Sequence, residues 1–150
     1  MSSDDTNDTT FTKKRWESIL NSLEIKFRVD DDGDYFADWD GIRVWFYGVG
    51  EKGEILVIRA MWDIRPPAEA YERLALEANR WNSDAMWPRA SVYVSTERGE
   101  CLVMGDMNID AETGVSDDFL RQQVRCMLAT SNEFFEKIAS TFPEHTGWRN

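Results

Sequence analysis

The chain has 150 residues, 28 of them acidic and 17 basic, for a formal charge of −11. A single domain of that length buries about 70% of its unfolded surface, so neither metal nor disulfide is needed to hold it together. The negative field repels phosphate, which argues against nucleic acid and anionic membranes as partners and favours solubility and basic partners.

Hydrophobic residues make up 42% of the chain and aromatics 13%, a globular composition, with seven Trp and eight Phe to be placed. Cys101 and Cys126 are the only cysteines and lack a CxxC spacing. Both sit in apolar stretches and read as small buried hydrophobes. Met1 to Thr10 is polar and acidic, without the basic and apolar regions of a signal peptide. The expected division is an acidic tail over 1–10, one domain over 11–143 and a C-terminal tail over 144–150. A cytoplasmic location is expected.

From Thr12, a plausible N-cap, the pattern turns helical, with Trp16, Ile19, Leu20 and Leu23 on one stripe. Ile25 to Val29 reads as a short edge strand. Asp30-Asp31-Asp32-Gly33-Asp34 carries turn chemistry, because Asp side chains bond nearby backbone and Gly33 allows positive φ. A bend through Asp38, Asp40 and Gly41 leads into a strand from Ile42 to Val49. The loop Gly50-Glu51-Lys52-Gly53 then joins it to Glu54–Trp62 as a hairpin.

Pro66-Pro67 can open a second helix, whose stripe is Tyr71, Leu74, Ala75, Ala78, Trp81 and Asn82. A second hairpin reads from Ala90 to Ser95 and from Cys101 to Met107, around Glu97-Arg98-Gly99. Ser116 caps the last helix, with Asp117 and Asp118 in its first turn, where the helix dipole favours negative charge. The stripe from Leu120 through Phe142 ends at Pro143. The order α-β-β-β-α-β-β-α predicts an α+β two-layer sandwich with a five-stranded antiparallel sheet.

The strand patterns make both sides of that sheet apolar. Ile42, Val44 and Phe46 oppose Arg43, Trp45 and Tyr47, while Ile55, Val57 and Met61 oppose Leu56, Ile58 and Trp62. A water-facing side would alternate polar with apolar. Either three helices cover both faces, or one face is a docking surface, since large exposed apolar patches mark interfaces. In the second case Trp45, Tyr47 and Trp62 are the candidate partner-binding residues.

Catalytic patterns are weak. His145 is the only histidine and falls in the C-terminal tail, where an exposed side chain is expected. One histidine and two dispersed cysteines make no familiar zinc site. The acidic run around Asp30–Asp40 fails as a calcium loop: with Gly41 at position six, Phe36 and Tyr47 fall at positions one and twelve. No cofactor, no metal site and no enzymatic activity are expected. Asn79 and Asn82 read as helix-end amides, and Arg121 and Arg125 as a solvated face.

Glu77-Ala78-Asn79-Arg80-Trp81-Asn82, Met86-Trp87-Pro88-Arg89-Ala90, Gly114-Val115-Ser116 and Gln122-Gln123-Val124-Arg125 occur in an order that resembles the YbjN-domain family. Asp38-Trp39-Asp40-Gly41 before an aromatic strand, and Arg59-Ala60-Met61-Trp62 ending the next, fit the same pattern. The resemblance spans about Thr12 to Phe142. It implies a fold like that of type III secretion chaperones and a role in bacterial sensory-transduction regulation through protein binding, often as a dimer. It supplies no catalytic residue. The expected function is a regulatory or chaperone-like interaction module for a protein partner or a second copy. The alternative is a small-molecule sensor with an aromatic pocket between sheet and helices.

Overall fold

In the computed structural model, residues 13–149 are described. The expected tail over 1–10 and the Thr12 cap lie outside them. Helix α1 (Lys13–Ser22) precedes strands β1 (Arg28–Val29), β2 (Tyr35–Trp39), β3 (Ile42–Val49) and β4 (Ile55–Trp62). Helix α2 (Tyr71–Asp84), strands β5 (Arg89–Ser95) and β6 (Glu100–Asp110) and helix α3 (Asp117–Thr141) complete the order. The strands form one antiparallel sheet in the order β1-β2-β3-β4-β6-β5.

The sheet has six strands, where five were expected. The addition is β2, hidden in sequence by its acidic surroundings. Its Trp39 pairs with Ile42 across Asp40 and Gly41, whose φ values of 39° and 84° are the positive pair that a two-residue type I′ turn requires. An Asp-Gly between two aromatic runs was the available signal. Strand β1 is correspondingly shorter than Ile25–Val29. Ile25 N–H instead donates to Leu20 O (3.0 Å) and Glu24 N–H to Asn21 O (3.0 Å), closing α1 with Glu24 in the left-handed region at φ 57°. That closure normally announces itself with glycine, and here no glycine does.

The acidic loop builds its own turn. Asp30 Oδ1 accepts from the backbone N–H of Asp32 and Asp34, both at 2.9 Å. At the far end, Ser116 caps α3 as expected, its Oγ accepting from Phe119 N–H at 3.1 Å.

One contiguous core unites the buried residues of all three helices with one side of the sheet. Trp16 of α1 packs on Phe46 of β3 with ring centroids 5.5 Å apart. Trp81 of α2 meets Phe134 of α3 at 5.3 Å, and Phe135 stacks on Trp62 of β4 at 6.4 Å. Phe36 and Val57 are buried too, yet they stand apart from this core on the sheet's other side. The helices therefore all cover one face.

Asn82 of α2 is more than a helix-end amide. Ala90 N–H donates to its Oδ1 (2.8 Å), and its Nδ2 donates to Ala90 O (3.0 Å), so one side chain completes the outer edge of β5. Edge strands carry such unpaired groups, and native folds cover them. Asn82→Ala is expected to cost about 1 kcal/mol, the worth of the bonds less what water recovers, read as a lower urea midpoint at unchanged slope.

The expected C-terminal tail folds back. Residues 143–147 form a 3-10 turn, and Trp148 packs edge-on to Trp62 with centroids 6.5 Å apart. Arg65 N–H donates to Arg149 O, and the Arg149 guanidinium pairs with the buried carboxylate of Glu100. His145 is half-buried rather than exposed, its ring 5.7 Å from that of Trp62 and its Nδ1 2.7 Å from Phe142 O.

Candidate functional site

The face without helices is built by strand register. Residues directly opposite one another in paired strands share a face. Following the pairings gives one row across all six strands: Arg28, Phe36, Trp45, Arg59, Asp106 and Arg89. A second row runs Asp38, Arg43, Met61, Met104 and Ser91. Tyr47, Val57 and Asn108 form a third.

Each of two aspartates gathers two arginines. Asp38 accepts from Arg43 Nε (2.7 Å) and Nη2 (3.1 Å) and from Arg28 Nη2 (2.8 Å). The Arg43 hydrogen bond leads in holding the Asp38 carboxyl below the usual carboxylate range, with Arg28 adding to it. The two guanidiniums also cover the Phe36 ring, at 4.4 Å for Arg43 and 4.9 Å for Arg28. This is how an aromatic on a helix-free face comes to be buried.

The second cluster is deeper. Asp106, only 2% exposed, accepts from Arg89 Nε (2.9 Å) and Nη2 (3.1 Å) and from Arg59 Nη2 (3.1 Å). Among the described residues, the buried Arg59 Nε has no hydrogen-bond partner. Tyr47 lies close by, its hydroxyl pushed up mainly by burial, with Arg59 opposing the shift. Beside Trp45 a cavity of about 380 Å³ opens among Arg43, Met61 and Asp63.

Trp45 and Tyr47 thus lie half-buried on the open face. Trp62 does not join them. It pairs with Ile42 on the helix side, is 6% exposed and is held by Phe135, His145 and Trp148. Most of the aromatic excess went the same way, into the core between helices and sheet. Sequence reasoning missed the arginines. Arg28, Arg59 and Arg89 are dispersed along the chain, and only the register aligns them.

Cys101 and Cys126 are free thiols, both pushed up by burial; Cys101 is fully buried and donates to Pro67 O at 3.5 Å. Among the described residues, no group of three His, Cys, Asp or Glu side chains is placed to hold a metal ion, and no helix is long and apolar enough to cross a membrane.

Among the described residues, the architecture is a two-layer α+β domain with one helix-covered and one open sheet face. The chain resembles a solved structure described as "Crystal structure of YbjN, a putative transcription regulator from E. coli", with a TM-score of 0.71 and 15% identity over 91% of this chain and 94% of that one. The chain belongs to the YbjN family, described as "Putative bacterial sensory transduction regulator", whose profile matches residues 12–140. That description names a regulator and no enzymatic activity. No curated protein matches the chain.

Proposed function

We propose that this chain is a non-enzymatic interaction module whose open sheet face receives a partner-protein segment carrying acidic and apolar side chains. The observation that carries this reading is the local reversal of charge. In a chain of net charge −11, the two central rows of the open face hold four arginines against two aspartates, interleaved with Phe36, Trp45, Met61 and Met104. Trp, Tyr and Arg are the side chains that carry most energy at protein interfaces. Positive charge on that one face steers an acidic segment to it while the rest of the surface repels one. The basic partners suggested by net charge alone are therefore not the ones this face fits. A chaperone-like role, holding a segment of a client protein, fits the same geometry.

The test is affinity capture from the native host with wild type, Trp45→Ala and Arg89→Glu, beside Leu76→Ala on exposed helix surface. A partner kept by wild type and Leu76→Ala, lost from the other two and released by added salt is the expected result. Retention by Trp45→Ala and Arg89→Glu, with melting curves showing both folded, would refute the reading. Light scattering separates the second candidate occupant, another copy of the chain, by its mass.

A further inference from the structure

On the opposite side of the sheet, between α3 and the β2–β3 hairpin, lies a cavity of about 450 Å³. Its lining is the indole of Trp39, the aliphatic side chains of Ile42, Val44, Leu128 and Ala129, and the polar side chains of Asp40, Arg125, Ser131 and Asn132. This size and lining suit a small ligand with an apolar body, since ligand pockets are mostly apolar with few polar groups that fix orientation.

Asn132 Nδ2 donates to Glu136 Oε1, and among the described residues the other three polar side chains of the lining, Asp40, Arg125 and Ser131, make no hydrogen bond or ion pair. Ser131 lines the cavity, is 2% exposed, and its Oγ finds no hydrogen-bond partner among the described residues. A buried hydroxyl left in that state costs free energy that an incoming acceptor recovers. Arg125 is exposed at the mouth, where the cavity adjoins an outer trough lined by Glu24, Lys26 and Asp38. Among the described residues it makes neither a hydrogen bond nor an ion pair. Asp38 in that trough is already engaged by Arg28 and Arg43.

We propose that this cavity is a binding site for a small monocarboxylate with an aliphatic or aromatic body. The carboxylate pairs with the Arg125 guanidinium, the body lies along Trp39, Ile42, Val44 and Leu128, and the Ser131 hydroxyl donates to a polar atom of the ligand. A guanidinium is the side chain best matched to a carboxylate, by charge and by paired N–H geometry. The site is independent of the arginine–aromatic face, so either proposal can fail without the other.

Calorimetric titration with octanoate and, separately, octylamine on the order of 1 mM, the weak end of specific binding, tests it. One-to-one octanoate binding, no octylamine binding and an octanoate affinity weaker by at least about ten-fold in Arg125→Gln are expected. Ser131→Ala should weaken octanoate binding without lowering the unliganded melting temperature, because its hydroxyl has no bond to lose. Trp45→Ala should bind octanoate as wild type does. Absence of octanoate binding, equal binding of octylamine, or full affinity in Arg125→Gln would each overturn the assignment.

Discussion

Phe134→Ala is expected to lower the unfolding free energy by about 3–5 kcal/mol, the range for deleting a fully buried phenyl ring. Phe134 has no exposed surface and sits where the helices converge, 5.3 Å from the Trp81 ring and 5.0 Å from that of Phe135. Its ring also approaches Gly105 of β6, where a Cβ would lie 3.8 Å from Phe134 Cδ2 and 2.6 Å from Pro88 Cγ. The glycine thus lets β6 run directly beneath the proline ring and the phenylalanine. Because aromatic rings and backbone close the space on several sides, it cannot collapse cheaply after truncation. For a chain of 150 residues the loss lowers the melting temperature by about 6–20 °C. Urea unfolding at unchanged slope checks it, and a loss below about 1 kcal/mol would mean that this junction is loosely packed.

Asp106→Ala is expected to cost about 2 kcal/mol, because it strips two arginines of the carboxylate they share. Breaking a fully enclosed pair costs about 3–5 kcal/mol. Here the side chains of Arg59 and Arg89 remain 35% and 65% exposed, so water recovers part of the loss. Removing Arg89 alone, by Arg89→Ala, should cost less, about 1 kcal/mol, because Arg89 is itself exposed and Arg59 stays on the carboxylate. The asymmetry between the partners is the informative result. Equal costs would show that the carboxylate is not the buried hub of the cluster. Asp106→Ala should also weaken partner capture, since Arg59 and Arg89 are held in the central row through that carboxylate.

The two faces suit different ligands for a physical reason. On the open face, arginine stems and guanidiniums cover Phe36, so the surface is apolar beneath and cationic above. Long basic side chains shield hydrophobic area while their charges stay in water. The cavity under α3 is different, with mostly apolar walls and the exposed Arg125 and Asp40 side chains among its lining. These contrasting surfaces are what the two proposals, a protein segment on one face and a small amphipathic acid on the other, rest on.

The amino-acid sequence by itself determined the local structure. Apolar spacing marked α1, α2 and α3, Ser116 marked the start of α3, and the glycine loops marked the β3–β4 and β5–β6 hairpins. Alternation also showed which residues of each strand share a side: Arg43, Trp45 and Tyr47 do so as expected. Alternation has a period but no label, so it says nothing of which side the helices cover. It said still less of how the strands line up, and Trp62 was accordingly placed with the wrong set. Only the tertiary structure decided that all three helices share one face, that Tyr35–Trp39 pairs into the sheet, and that Arg28, Arg59, Asp106 and Arg89 meet in one row. These depend on register between segments distant in the chain, where a shift of one residue would send every side chain to the other face.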